Sequence, residues 1–373
     1  MHIGIDARFL GAASYGLAQY SESLLVALSR HDPDNRYTIF VNAGLRRRLK
    51  VGENFRQVPI AGAPLSGRGL GRLWWALRQT PLDLLHVHFP LVPPATQVPT
   101  VITVHDVVPF VGAPQGRVRA WDRLGHWVLY PRTMRRARWI VCVSHATRQR
   151  LIEIYPEAFH KTIVLRSGVE DLYRMPTAPT ALALIRSRLR LPDRYILYSG
   201  STGEAKNVPA MIRAFAQLLQ RDPRAADYRF VLDIAGDRRD VGIVRRTVER
   251  CGVADKVITL TGTTADERHV LFEEAALLFI ASKEEGFGLP VLKAQLCRVP
   301  VLAADAGGLP EVCGDGALLV DPDDPDEMTA MLGQALFDEG LRQYLAEKGH
   351  RNALGYSWED TARQVRQIYE LLC

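Results

Sequence analysis

Ala281-Ser282-Lys283-Glu284-Glu285-Gly286-Phe287-Gly288-Leu289-Pro290-Val291-Leu292 joins the end of a strand, an acidic pair, a glycine-rich turn and the start of a helix. An apolar run stops at Ser282. Pro290 falls in the first turn of a helix, where its missing N–H leaves no bond unmade. The free N–H groups of such a turn and helix start suit an anion such as a diphosphate. A carboxylate beside them, Glu285, accepts hydrogen bonds from sugar hydroxyls. A tight turn followed by a capped helix accounts for the same residues equally well, and on chemistry alone both readings stand.

Outward from this segment, short apolar runs alternate with stretches of helical period. Strands are expected at His2–Phe9, Tyr37–Asn42, Leu82–Phe89, Thr100–His105, Trp139–Ser144 and Thr162–Arg166. The second half adds Tyr195–Gly200, Arg229–Ala235, Val257–Thr261, Leu277–Ala281 and Val299–Ala303. Helices are expected at Leu17–Arg30, Leu70–Gln79, Val118–Arg136 and Ala146–Tyr155, and later from near Asn207, Asp240, Ala265, Pro290 and Pro325. This alternation predicts an α/β protein with parallel sheets covered on both faces. It pauses at Asp171–Pro179, read as a linker between domains at 1–174 and 178–356. Two Rossmann-like doubly wound domains follow, with ligands expected beyond the carboxyl ends of the strands and in the cleft the domains face across.

The chain has 373 residues and five cysteines with no Cys-x-x-Cys pair, which argues against a disulfide framework or a zinc site and for a reducing cytoplasm. Asp6 and Arg8 interrupt any signal-peptide core. Leu84–Val104 lacks formal charge, but Pro90, Pro93, Pro94 and Pro99 make it two buried strands rather than a membrane span. Net charge is +6, unevenly spread: residues 1–176 carry 23 Lys and Arg against 12 Asp and Glu, and the remainder is net acidic.

Glu285-Gly286-Phe287-Gly288-Leu289-Pro290, Cys297–Val301 and Ala306-Gly307-Gly308-Leu309-Pro310-Glu311 together resemble family 4 of the retaining glycosyltransferases. The resemblance runs along nearly the whole chain, through Tyr15–Tyr20, Thr103–Pro109, Val143–Arg148, Ser167-Gly168-Val169, Tyr198-Ser199-Gly200, Lys206-Asn207 and Gly314–Pro322. It implies the glycosyltransferase-B fold, with a nucleotide sugar held mostly by the C-terminal domain, and a mannosyltransferase-like activity. It also implies roles. Glu285 is the first Glu of a Glu-x7-Glu motif facing the transferred sugar. Gly286, Phe287, Gly288 and Leu289 place backbone donors by sugar and diphosphate. Lys206 neutralises the leaving diphosphate. Ser199, Gly200 and Glu311 line the donor site, Gly16 leaves room for the donor phosphate, and His105 binds the donor sugar. Asp106 orients His105 or holds an acceptor hydroxyl, unless it is a turn cap. Members of this fold generally need no metal, and no cofactor beyond the donor substrate is expected. His86 and His88 lack a third ligand at convincing spacing, and the Asp-Pro-Asp runs at 32–34 and 321–326 read as turn clusters.

Two positions depart from the family pattern. The second Glu of Glu-x7-Glu is Lys293, and the Arg that usually precedes the phosphate lysine is Ala205. The resulting alternative to an enzyme is a non-catalytic, membrane-associated scaffold subunit. The donor preference implied is GDP-mannose or a related GDP-sugar over UDP-sugars. The acceptor implied is a glycan or lipid-linked hydroxyl, as in polysaccharide or lipopolysaccharide biosynthesis.

Basic residues cluster at Arg46–Lys50, Arg68, Arg72, Arg117, Arg119, Arg132, Arg135, Arg136 and Arg138, interleaved with Trp74, Trp75, Trp121, Trp127, Tyr130 and Trp139. The expected partner is an anionic membrane surface at the inner face, not nucleic acid, since no nucleic-acid motif accompanies the charge. A solvated helix face with core tryptophans is the plainer reading. A monomer or homodimer is expected. Ser357 reads as the N-cap of a last helix, 357–373, which the resemblance places back on the N-terminal domain.

Overall fold

The computed structural model describes residues 1–10, 15–45, 47–92, 96–107, 129–235 and 238–372. The chain divides into two units, Met1–Gly168 with Ser357–Cys373, and Val169–Tyr356.

The first unit runs β1 (His2–Ala7), α1 (Tyr15–His31), β2 (Arg36–Asn42), β3 (Phe55–Ile60), α2 (Gly67–Gln79), β4 (Leu84–Val87), β5 (Thr100–Val104), α3 (Tyr130–Arg136), β6 (Trp139–Cys142), α4 (His145–Ile154) and β7 (Thr162–Val164). Its strands form one parallel sheet in the order β3-β2-β1-β4-β5-β6-β7. Ile3, Ile5, Leu84, Leu85, Ile102 and Ile140 have no exposed surface, as expected of strands covered on both faces. The uncharged stretch 84–104 supplies β4 and β5 to the middle of this sheet. Among the described residues, no helix is long and apolar enough to cross a membrane.

The second unit runs α5 (Pro179–Leu189), β8 (Tyr195–Gly200), α6 (Val208–Arg221), β9 (Arg229–Ile234), α7 (Arg238–Cys251), β10 (Val257–Thr261) and α8 (Ala265–Glu273). It continues with β11 (Leu277–Ile280), α9 (Leu289–Leu296), β12 (Val301–Ala304), α10 (Leu309–Cys313), β13 (Leu318–Val320), α11 (Pro325–Phe337) and α12 (Glu339–Ala353). The sheet order is β10-β9-β8-β11-β12-β13, again parallel. Both units are Rossmann-like.

The structure corrects the reading at several points. β3 and β13 were not anticipated, and both are edge strands. Half-exposed edges need no continuous apolar run, and Pro59 is tolerated there because an edge leaves ladder N–H groups unused. The stretch read as a linker is folded. Asp171–Arg174 form a 3₁₀ turn whose Tyr173 ring is buried against His269 and Phe272 (centroids 5.3 and 5.7 Å), and Pro179 opens α5. The break therefore falls at Gly168/Val169 rather than at 174. Residues 118–128 of the expected Val118–Arg136 helix lie outside the described residues, with Arg46, Pro93, Pro94, Pro109, Arg117, Arg119, Trp121 and Trp127.

The last helix, α13 (Trp358–Glu370), belongs to the first unit. Ser357 caps it, accepting from the Glu359 and Asp360 N–H groups at 3.1 and 3.4 Å. Its buried Ala362, Val365 and Ile368 face inward at helical spacing. Thr361 donates to the Arg166 carbonyl at 2.9 Å, Arg366 to Asp34 at 3.1 Å, and Tyr369 meets His86 Nδ1 at 2.6 Å. Gly168 admits the start of α13 closely. A Cβ there would stand 2.2 Å from the Trp358 nitrogen, so the position excludes any side chain.

Candidate active site

The candidate residues of the second unit gather at the carboxyl ends of three adjacent strands, β8, β11 and β12. After β8 the chain makes a 3₁₀ turn, Glu204–Lys206, and Asn207 takes a left-handed conformation (φ 55°) before Val208 starts α6, with Pro209 in its first turn. The Asn207 amide donates to the Pro322 carbonyl at 2.8 Å, which anchors this loop. After β11 the Lys283 N–H donates to the Ala205 carbonyl at 2.8 Å and ties the two loops together. Lys206 Nζ then donates to Glu285 Oε2 at 2.7 Å. Both side chains keep some access to water, 27% and 18% exposed.

The loop after β12 fixes Glu285 from behind. Gly307, at φ 58°, lies so close that a Cβ would meet the Glu285 carbonyl oxygen at 2.6 Å, and Gly308 N–H donates to that oxygen at 2.7 Å. Gly288 (φ 101°) begins α9, and the Phe287 ring turns inward, buried and edge-on to Tyr356 at 5.9 Å. Phe287 therefore offers only its backbone. Gly286 and Leu289 are half-buried on either side of it, and Glu311 stands in the first turn of α10. Ser199 at the end of β8 commits its proton to Asp233 at 2.8 Å. That carboxylate also accepts from Thr263 (2.7 Å) and from Arg268 Nε (3.0 Å), so Ser199 belongs to a buried polar network. Gly200, beside it, is the last residue of β8.

Lys293 is 2% exposed. Its ammonium lies 3.6 Å from Glu170 Oε1 and 5.0 Å over the Tyr173 ring. Burial pulls its pKa down, and the Glu170 carboxylate opposes that shift. The Glu-to-Lys departure is thus matched by an acid, Glu170, and by the aromatic face of Tyr173 from the turn read as linker. Glu170, Tyr173, Asp233 and Arg268 were all missed. For Glu170 a signal existed: a lysine in a helix of apolar period needs a nearby carboxylate, and Glu170 directly follows the quoted Ser167-Gly168-Val169. Ala205 contributes only its carbonyl, to Lys283.

The candidates of the first unit lie at the carboxyl edge of its own sheet. His105 follows β5, and its ring bonds the main chain of His88. That bond raises the pKa, so the acceptor is the carbonyl, and the ring N–H is committed to it. Nε2 is buried and, among the described residues, has no partner, which makes it a hydrogen-bond acceptor in a neutral imidazole. Burial holds the His105 pKa down at about 4. Tyr20 packs edge-on against His105 at 4.4 Å and against Trp358 at 5.5 Å, and burial pushes its own pKa up to about 12. Asp106 is exposed. Among the described residues, a Cβ at Gly16 would meet nothing within 4 Å. His86 bonds Tyr369 and Thr103 (2.6 and 2.8 Å) and His88 bonds Ser21 (2.9 Å), which makes this pair structural. Among the described residues no His, Cys, Asp or Glu group could hold a metal ion.

Two Rossmann-like units, with a lysine, a carboxylate and a glycine-rich turn at the strand ends of the second, define the glycosyltransferase-B class. Solved structures match over essentially the full chain. Sucrose-phosphate synthase from Thermosynechococcus elongatus aligns with TM-score 0.82 at 18% identity, covering 100% of this chain and 99% of that one. Anabaena HepE in complex with UDP-glucose aligns with TM-score 0.75 at 18% identity, covering 99% of each chain. The family model "Glycosyltransferase Family 4" matches residues 16–171 and "Glycosyl transferases group 1" matches 184–352. The chain is 30% identical to the O-antigen chain mannosyltransferase B of Escherichia coli, over 73% of this chain and 70% of that protein. It is 35% identical to a D-inositol 3-phosphate glycosyltransferase of Salinispora arenicola, over 59% of this chain but only 51% of the relative. The chain belongs to the family 4 glycosyltransferases.

Proposed function

We propose that this glycosyltransferase is a retaining, metal-independent hexosyltransferase. It takes the hexosyl group from a nucleotide diphosphate sugar, with GDP-mannose the first donor to test, and passes it to a hydroxyl of a glycan or lipid-linked acceptor. The observation that carries the reading is the Lys206–Glu285 pair held against the glycine turns. A cation for the leaving diphosphate and a carboxylate for sugar hydroxyls stand side by side. Lys206 draws charge from the phosphate as the anomeric carbon–oxygen bond breaks. The acceptor oxygen bonds the same carbon from the same face, and its proton passes to the departing phosphate oxygen. His105, neutral with a free Nε2, accepts from a sugar hydroxyl. The mannosyltransferase named among the relatives supports the choice of hexose, and the UDP-glucose held by the Anabaena protein supports a nucleotide-sugar donor. The basic first unit meets an anionic membrane at its cytoplasmic face, where a lipid-linked acceptor resides.

The second reading, a non-catalytic scaffold, is favoured by one observation: Lys293 is buried and paired where the family carries a carboxylate. Transfer and hydrolysis assays with a panel of GDP- and UDP-sugars, with and without EDTA, separate the two. EDTA-resistant turnover with retained anomeric configuration is expected. Absence of both turnover and nucleotide binding for every donor would leave the scaffold.

A further inference from the structure

The function proposed above gives Lys206 a diphosphate and Glu285 a sugar hydroxyl, yet in the structure these two side chains hold each other. Lys206 Nζ donates to Glu285 Oε2 at 2.7 Å, and both groups are mostly sheltered from water. Such a pair is screened less than one on the open surface. Nearby charge gives the lysine little help. Ala205 beside it brings none, and the Lys283 ammonium is turned to Asp323. The backbones on both sides are fixed. Lys283 N–H bonds the Ala205 carbonyl at 2.8 Å, and Lys206 N–H bonds the Gly203 carbonyl at 2.8 Å. Gly308 N–H bonds the Glu285 carbonyl oxygen at 2.7 Å, and a Cβ on Gly307 would stand 2.6 Å from the same oxygen. The glutamate is short and its main chain is pinned, whereas the lysine stem is long and flexible. When the pair opens, the ammonium moves and the carboxylate stays.

We propose that Glu285, by competing for Lys206, selects the intact nucleotide sugar over the nucleoside diphosphate left after transfer. This role rests on the donor site proposed above and deepens it. Any diphosphate entering the site draws the ammonium off Glu285. With the intact donor, hydroxyls of the hexose then donate to the freed carboxylate, so the partner it loses is replaced. With the nucleoside diphosphate alone, the ammonium leaves in the same way and no hydroxyl takes its place. Glu285 is left as a part-buried carboxylate without its counterion, which is costly. The spent nucleotide also bears a second ionisable oxygen on its terminal phosphate, with a pKa near ~6, where the sugar had masked it. That added negative charge faces the same carboxylate. The resting pair therefore admits the donor by exchange of partners and works against the product. A second cation at position 205 would relax the competition, and this chain has Ala205 there.

Isothermal titration of the full chain without acceptor tests it, with GDP and GDP-mannose as one pair of probes and UDP and UDP-glucose as the other. The proteins compared are the wild type, Glu285→Gln, Lys206→Ala and the double variant. Glutamine keeps the shape of the side chain and removes its charge. Glu285→Gln should tighten the nucleoside diphosphate about fivefold or more, the worth of one partly sheltered ion pair. It should not tighten the nucleotide sugar, because weaker hydroxyl contacts offset the released lysine. In the Lys206→Ala background the same change should gain about twofold or less, since only direct repulsion is then relieved. Thermal melts confirm that each variant is folded, and Glu285→Ala replaces Glu285→Gln if that variant is not. Unchanged or weaker binding of the nucleoside diphosphate by Glu285→Gln would overturn the proposal. So would an equal gain for the sugar-bearing and spent nucleotides, or an equal gain with and without Lys206. Transfer is measured in parallel on the wild type. Transfer and nucleotide binding without the Glu285→Gln gain remove the selectivity and leave the transferase; a wild type that binds none of the four probes and transfers nothing removes the donor site itself.

Discussion

Replacing Lys293 by Glu restores the family's motif on paper and should damage this protein. Lys293 Nζ lies 3.6 Å from Glu170, and its side chain is 3% exposed against 28% for the glutamate. At an effective dielectric of 20 that attraction is about 5 kcal/mol before desolvation is subtracted. A glutamate is shorter by one bond, so the two carboxylates would stand ~5 Å apart and repel by ~3 kcal/mol on the same scale. Glu170 can turn partly toward water, which relieves some of this. We expect Lys293→Glu to cost about 3–5 kcal/mol, in the range for an uncompensated buried charge. Lys293→Met, which matches glutamate in bond count and lacks the repulsion, should cost ~1–2 kcal/mol. Glu170→Lys in the Lys293→Glu background should return at least ~2 kcal/mol. The penalty should also depend on pH. Crowded carboxyls have raised pKa values in the folded state, so the loss is full near neutrality and shrinks as pH falls toward the unfolded glutamate value. Urea unfolding of the four proteins at neutral and mildly acid pH reads all of this. Equal destabilisation by Glu and Met, or no rescue by the charge swap, would refute the pairing argument. It follows that Lys293→Glu combined with Ala205→Arg is a poor route to a stronger donor site unless Glu170 is changed as well.

Lys206→Ala should weaken donor binding at least about tenfold, the worth of one charge-assisted phosphate contact, with little change in melting temperature; isothermal titration with the donor and a thermal melt measure the two. Gly307→Ala should cost about 1–3 kcal/mol and lower turnover, because the new methyl displaces the Glu285 backbone; a urea curve and a rate assay on the same preparation check it. Gly168→Ala should free α13 from the first unit, seen as faster proteolysis near Ser357 and a lower melting temperature. The buried histidines predict acid lability. Burial holds His86 at about 3 and His105 at about 4, both below the ordinary 6.5. Depressed histidines contribute stability that is intact above pH 6.5 and is lost progressively as pH falls from there to the folded values, about 1.4 kcal/mol per pH unit for each. Urea titrations at pH 7 and pH 5 should show the drop, and a flat profile would count against the neutral cluster.

Much of the fold was legible because central parallel strands must be apolar on both faces. Tyr195–Gly200 and Thr100–Val104 announce themselves in that way. β3 and β13 did not, since edge strands are relieved of that demand; Arg56 and Pro59 look like loop residues until their partner strand is known. The turn at Asp171–Arg174 was misread for a related reason. Two prolines suggested open chain, but the burial of Tyr173 comes from residues near 269–272, almost a hundred positions on. Within the site, Lys206, Glu285 and the glycine turns could be picked out because local chemistry and order along the chain agree. Glu170 with Lys293, and Asp233 with Arg268, depend on which loops meet in space. Charge alone showed that Lys293 needed a partner, not where the partner was.

The return of α13 to the first sheet has a consequence for synthesis. Val169–Tyr356 is an insertion within the first unit, and every residue it needs has been made before Ser357 is translated. The first unit must wait for Thr361, Arg366 and Tyr369 to close over Arg166, Asp34 and His86. The unit that begins the chain is therefore the last to be completed, and until then it leaves the ribosome with the side of its sheet that receives α13 uncovered.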